Sequence, residues 1–289
     1  MESSWFGDVE NGICTPFSGD AAACARRVRE IRTSMDTFSP PDWHLAVSCG
    51  FCSNREEYLA ILQKVCITGS EQAVRELYAT KDVELLQMVR TLDEMDTVIN
   101  LLSERVADWY QIRHPSFSRK YRRIPAHALV KSVSTRGGAL GRVAAGISGL
   151  GDTRTSLARD VSSRACEVMP NTSALIGGLV AARLLSHAGG LKELARMPAS
   201  TIQVLGARTA LFMHIRTLAP SPKHGIIFQH RRVHNASRDV RGKVSRVLAG
   251  KLAIAARLDY YRGSPDPSFI EDAQVKIDRA GAEKGGELP

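Results

Sequence analysis

The chain has 289 residues, 44% hydrophobic but only 6% aromatic, enough for a sizeable core and more than one domain, and a composition that favours helices over a β-sandwich. No apolar run approaches the ~18 residues needed to span a bilayer, and Met1 to Asn11 is acidic and polar, unlike a signal peptide; a soluble, intracellular protein is expected. The net charge is +9, and it is unevenly placed: residues 1–170 hold 21 charges of each sign, residues 171–262 hold 15 basic against 3 acidic, and the remainder 3 against 6. A localised positive field is what a polyanion binder needs, which points to phosphate.

Residues 1–81 suggest a small α/β or α+β unit. Leu45, Val47 and Cys49 alternate, which predicts a strand over Trp43 to Cys52. Glu56 to Ile67 reads as a helix running into a strand, and Glu71 to Ala79 as another short helix. The cysteines (Cys14, Cys24, Cys49, Cys52, Cys66 and Cys166) lack a small-scaffold spacing and are expected as reduced thiols. Cys49-Gly-Phe-Cys52, with His44 and Cys66 nearby, is half of a zinc site at most, and partly buried thiols are the better reading.

From Asp82 a heptad pattern begins. Leu85, Met88, Leu92, Met95, Ile99, Leu102, Val106 and Trp109 follow steps of three and four, and Leu157, Val161, Arg164 and Val168 repeat the spacing before Pro170. Two such helices in 82–170 would pair as an antiparallel hairpin; the core of an ordinary helical bundle fits the pattern equally. The connector, 114–152, contains Arg119-Lys-Tyr-Arg-Arg123, which could meet RNA by charge and stacking or form only a solvated face. Gly137-Gly-Ala-Leu-Gly141 and Gly146-Ile-Ser-Gly-Leu-Gly151 match no phosphate-binding loop, so a flexible connector is expected.

The basic segment, 171–262, opens with an apolar helix over Thr172 to Leu185, ended by the glycines after His187, and a short helix over Leu191 to Met197 stopped by Pro198. An apolar helix follows over Ala207 to Thr217. A loop carrying Lys223, His224 and His230 leads to one long helix over Arg241 to Asp259. Its 100° advance puts Val244, Val247, Leu248, Leu252, Ala255 and Leu258 on one face and Lys243, Arg246 and Arg257 on the other. Lys251 falls inside the apolar arc, where it must snorkel outward or reach a partner. His230 and His234 are spaced like helical metal ligands, but no carboxylate or cysteine completes a site, so no metal is assigned. No Ser-His-Asp order or paired carboxylates mark a catalytic centre. The tail, 263–289, is expected to be disordered.

Three stretches in succession, MPASTIQVLGA (197–207), PKHGIIFQH (222–230) and RGKVSRVLAGKLAIAARLD (241–259), resemble the Nop domain of archaeal C/D-box guide ribonucleoproteins, shared by eukaryotic nucleolar relatives and a spliceosomal factor. With the preceding helices the resemblance runs from about Arg55 to Arg262. Two positions depart from the family pattern: Arg208-Thr209 replaces an acidic-then-basic pair, and Arg231 replaces a proline.

The resemblance implies a mainly α fold: a small N-terminal α/β unit, an antiparallel coiled-coil hairpin and an all-helical Nop domain. It also implies a non-catalytic scaffold that binds C/D-box guide RNA together with a kink-turn-binding ribosomal-type protein. Fibrillarin, the methyltransferase that itself uses S-adenosylmethionine, would dock on the N-terminal unit. Expected RNA contacts are Lys223, His224, Gln229, His230, Arg241, Lys243, Arg246, Arg208 and Lys251. Leu92, Met95, Ile99, Leu102, Val106, Leu157, Val161 and Val168 would pair two copies into a homodimer. An archaeal chain of this kind would be cytoplasmic. Two alternatives remain: the N-terminal unit as a mere cap on an RNA binder that has lost its methyltransferase, and an RNA-modifying enzyme, for which no cofactor loop is found.

Overall fold

The described strands all lie upstream of Pro40. The computed structural model describes residues 2–10, 13–33, 42–117, 124–217 and 219–282, and the chain divides into two units, 1–80 and 81–289. In the first, β1 (Glu2–Ser4), β2 (Gly7–Glu10) and β3 (Ile13–Pro16) form an antiparallel meander, with Ser3 opposite Asp8 and Val9 opposite Cys14. Helices α1 (Ala21–Thr33), α2 (Trp43–Ser48) and α3 (Arg55–Tyr78) complete it. Trp5 and Phe6 turn into a core with Ala25, Ala46 and Tyr58, and the Trp5 indole donates to the Tyr58 hydroxyl at 3.3 Å.

The strand expected over Trp43 to Cys52 is a helix. Asp42 accepts the His44 amide at 2.9 Å as its N-cap, and a local cap outweighs three alternating residues. The helix-then-strand and separate short helix expected over Glu56 to Ala79 are one helix, α3. Asn54 caps it through the Glu57 amide, and no proline interrupts it. Cys14 and Cys49 are joined in a disulfide with their Cα atoms 5.2 Å apart, which corrects the expectation of reduced thiols for these two. Sequence spacing could not show that β3 lies against α2. Cys24 and Cys52 are buried free thiols.

The second unit has no strand among its described residues and is built from helices and the loops that join them. Helix α4 (Lys81–Arg113) runs antiparallel to α6 (Gly138–Val168), with α5 (Ala126–Val133) at the tip. The connector expected to be flexible is therefore largely helix. Leu140, Ala144 and Ile147 are buried in a tip cluster with Val106, Leu129 and Val133, and further along the same helix Val161, Ala165 and Val168 join the main core. Gly146, Gly149 and Gly151 face open space, so the lack of a side chain there leaves no hole, and the seam holds the helix despite its glycines. The Arg119–Arg123 run lies outside the described residues.

The seam residues expected to join two copies are used inside one chain. Leu92, Val161 and Val168 lie in its main core with Leu157 packed against it, and Val106 lies in the tip cluster with Ile99 and Leu102 packed against it. Met95 is partly buried. Two ion pairs cross the hairpin among the described residues: Arg164 reaches Glu84 at 3.4 Å, and the Arg154 guanidinium donates to both Asp96 oxygens at 2.7 and 2.9 Å, holding that carboxyl below its usual range.

The basic segment continues as α7 (Pro170–Ile176), α8 (Gly178–Ala188), α9 (Leu191–Arg196), α10 (Ala199–Val204), α11 (Arg208–Thr217), a 3-10 turn (Ile226–Gln229), α12 (Arg231–His234) and α13 (Arg238–Tyr261). The single apolar helix expected over Thr172 to Leu185 is broken at Gly177, whose φ of 83° few other residues adopt. Gly178 then lets α8 approach α6, since a Cβ there would meet the Ser162 carbonyl at 2.3 Å. Helix α13 buries Val244, Leu248, Leu252 and Ala255, as its periodicity predicts.

The tail expected to be disordered forms α14 (Pro267–Ala282), which buries Ala273, Ile277 and Ala280 in the main core. Few large apolar residues suffice here because the small ones line a single face against α13. Asp259, buried at the end of α13, ties these pieces together. It accepts from the Asn171 amide and side chain, both at 2.8 Å, and from the Thr172 amide and hydroxyl at 2.9 and 2.6 Å. Asn171 in turn accepts the Asp266 amide at 2.7 Å.

Candidate nucleic-acid interface

Two of the sequence stretches are brought together by main-chain bonds. The amides of Gly225 and Ile226 donate to the carbonyls of Gln203 and Leu205, both at 2.8 Å. This seats the loop from Pro222 on the turn after α10. Only glycine fits at 225, where a Cβ would lie 1.9 Å from the Leu205 carbonyl oxygen. The Gln203 side chain donates to the Lys223 carbonyl at 2.8 Å. The loop is thus fixed before any ligand arrives.

On this support the side chains form a cluster around Phe228 at the start of α13. His224 stacks on the Phe228 ring at 4.4 Å, His234 tilts against it at 5.1 Å, and the Arg241 guanidinium lies over it at 5.3 Å. Arg241 also donates to the carbonyls of His234 and Ala236 at 3.2 and 2.8 Å. The Lys223 ammonium reaches the Arg238 carbonyl at 3.3 Å, its stem passing 3.8 Å from where a Gly242 Cβ would sit. Burial, and then the Arg241 charge, lower the His224 pKa from the ordinary imidazole value, so at neutral pH it is an uncharged hydrogen-bonding ring.

The other candidate residues are dispersed around this cluster. Gln229 accepts from Arg183 of α8 at 2.7 Å, and Arg183 also donates to Asp93 of α4 at 3.1 Å. His230 is half-buried, its pKa lowered by burial and then by Arg232 and Arg231, and its Nδ1 atom is buried without a partner. It borders a 430 Å³ cavity with Arg231, Gln274 and the end of α7. Lys243 and Arg246 are exposed on α13, opposite its buried face, and Arg208 is exposed at the start of α11.

Lys251 departs from the expectation of an RNA contact. It pairs with Asp272 of α14 at 3.0 Å and lies 5.8 Å from the centre of the Phe269 ring, so it serves the internal helix contact. Sequence reasoning missed Phe228, which assembles the cluster; its place between His224 and His230 was the available signal. It also missed α11 as a surface. None of that helix is buried, and Phe212, Met213 and Ile215 are exposed along it. Among the described residues, no helix is long and apolar enough to cross a membrane, and no group of three metal-ligating side chains converges.

A helical module with a fixed basic loop is suited to gripping phosphates while neutral rings contact sugars or bases. Residues 139–280 match the Nop family, described as a snoRNA binding domain, fibrillarin. An uncharacterized NOP5 family protein of Methanocaldococcus jannaschii is 32% identical over 79% of this chain and 64% of its own length. Nucleolar protein 56 of Caenorhabditis elegans is 31% identical over 68% of this chain and 50% of its own. The chain therefore spans between a half and two thirds of these relatives. A chain in the crystal structure of a fibrillarin/Nop5p complex is similar over 96% of this chain and 98% of its own, with a TM-score of 0.53 and 26% identity.

Proposed function

This chain is a Nop-family protein, its family match lying at residues 139–280, and from that premise we propose that it is a non-catalytic scaffold of a C/D-box RNA-guided ribose methylation particle. The observation that carries the reading is the preassembled cluster of Lys223, His224, Phe228 and Arg241 at the start of α13, in a segment with only 3 acidic residues. Cations there attract the phosphates of a guide-RNA stem, and Lys243 and Arg246 extend the positive face along the helix. The unburied apolar side of α11 suits a protein already seated on that RNA, the kink-turn-binding partner.

Recruitment of fibrillarin falls to residues 1–80. Two findings support it: that unit has its own core, and the likeness to a chain of a fibrillarin/Nop5p complex extends over nearly the whole chain. A 510 Å³ groove beside α1 and α3, lined by Trp5, Val28, Ile31, Leu62 and Val65, offers apolar area for docking. The methyl donor would be held by fibrillarin, and the chain would work in the cytoplasm of an archaeal cell.

The test combines guide RNA, kink-turn protein and fibrillarin with and without this chain. Guided methyl transfer should require the chain, and the chain with RNA alone should transfer nothing. Activity of the isolated chain would overturn the scaffold reading, and assembly on RNA without capture of fibrillarin would leave a binder that has lost its enzyme. Replacing Lys243 and Arg246 with alanine should weaken assembly and flatten the log-log salt dependence by about 1.5, from roughly 0.7 to 0.9 per phosphate contact. An unchanged slope would remove both residues from the interface.

A further inference from the structure

The tip of the hairpin carries a second positive surface, concealed when charge is summed over the first 170 residues. From Trp109 to Gly151 the sequence holds 8 lysines and arginines and no aspartate or glutamate. The described residues of this stretch form the end of the hairpin, where the last turns of α4, helix α5 and the first turns of α6 close over one apolar cluster. Arg113, Lys131, Arg136 and Arg142 are all exposed there. Among the described residues none of the four is paired with a carboxylate; Asp108, at the edge of the stretch, faces Arg105. Two of them border aromatic rings instead. Arg113 lies 5.8 Å from the Trp109 ring, and Arg136 lies 5.4 Å from that of Tyr110 while donating to its hydroxyl at 3.3 Å.

This surface is held away from the first. Helix α4 is continuous from Leu92, in the core shared with α8 and α13, to Arg113 at the tip. The 21 steps between them span roughly 30 Å at ~1.5 Å per residue, more than the width of an RNA stem gripped at α13. Exposed cations that pair with no carboxylate among the described residues, beside partly exposed rings, suit a polyanion whose bases can stack. An acidic protein surface would gain nothing from the rings.

We propose that the hairpin tip is a second, sequence-independent RNA contact, which holds the backbone of the guide RNA some distance from the stem gripped by the Nop face. This rests on the RNA-scaffold reading above. Lys131→Ala with Arg142→Ala in the full chain, bound with the kink-turn protein to a minimal kink-turn stem and to a full-length guide RNA, tests it. Neither residue supports Tyr110 or Trp109, so the tip core is left intact. On the full-length guide the variant should bind several-fold more weakly, with a log-log salt slope flatter by about 1.5; on the minimal stem it should match the wild type.

A wild-type slope on the full-length guide overturns the proposal, as does equal loss on both RNAs. Loss of fibrillarin capture with unchanged RNA binding also overturns it, by making the tip a protein contact. The Lys243→Ala, Arg246→Ala variant serves as the control for the stem. If that variant binds both RNAs normally, the stem reading fails, and the tip is still judged by its own slope on the longer RNA.

Discussion

At the scale of single residues, the most consequential side chain is one that touches no ligand surface. Asp259 satisfies two backbone amides and two side-chain donors, at Asn171 and Thr172, in a buried site. Asp259→Ala would leave several of those donors without acceptors, at about 1–3 kcal/mol each before relaxation. We expect a loss of about 3 kcal/mol or more, read as a shift in the urea midpoint at unchanged m-value. A shift under about 1 kcal/mol would mean that water replaces the carboxylate.

Histidine protonation gives a second residue-scale prediction. Folding lowers the pKa of His224 and His230, so the unfolded chain takes up protons first as pH falls. The folded state is unaffected above about 6.5 and loses stability as pH drops below that value toward the folded pKa values. Asp8 and Asp96, held low by Arg27 and Arg154, favour folding above about 3.9 and lose that effect in stronger acid. Acidification should therefore lower Tm in two stages, and His224→Gln with His230→Gln should flatten the first, between pH 7 and 5. Identical profiles for variant and wild type would assign that stage elsewhere. The charge and ring chemistry of this loop was legible in the sequence. The stacking on Phe228 and the diversion of Lys251 to Asp272 were not, because both depend on a helix and a turn that meet only in the fold.

At the scale of elements, periodicity was a better guide than composition. The heptad steps in α4 and the apolar arc of α13 both reappear as buried faces. Glycine content misled at α6, where Gly146, Gly149 and Gly151 face open space, and a low count of large apolar residues misled at α14. That last helix should matter for stability. Ile277 is 1% exposed, and Ile277→Ala should cost about 3 kcal/mol; ending the chain after Arg262 should lower Tm by more. A disordered tail would make both changes neutral. The disulfide in the N-terminal unit was illegible for a different reason, since pairing depends on spatial approach and the sequence spacing of Cys14 and Cys49 carries no trace of it.

At the scale of the whole molecule, self-association needs a surface that does not rely on Leu92, Val106, Val161 and Val168, because these seam residues are buried within one chain. The outer side of the hairpin offers one. Val98, Leu101 and Leu150 are exposed, and Val98 and Leu150 border a 220 Å³ groove with Met95 and Ile99. If two copies pair, Val98→Glu with Leu101→Glu should shift the sedimentation coefficient to that of a monomer while leaving the helical circular dichroism unchanged. A dimer that survives this variant would place the contact elsewhere.

The chain of bonds from Asp93 on the hairpin through Arg183 to Gln229 beside the basic loop has a mechanical consequence. A thirty-ångström arm whose root is bolted to the gripping loop behaves as a lever, so load at its far end is delivered to the residues around His230 instead of dissipating in a hinge. Cutting the bolt with Arg183→Ala should loosen the 3-10 turn against the arm while the shared apolar core still joins the two, visible as faster amide exchange in that turn with little change in the overall melting point.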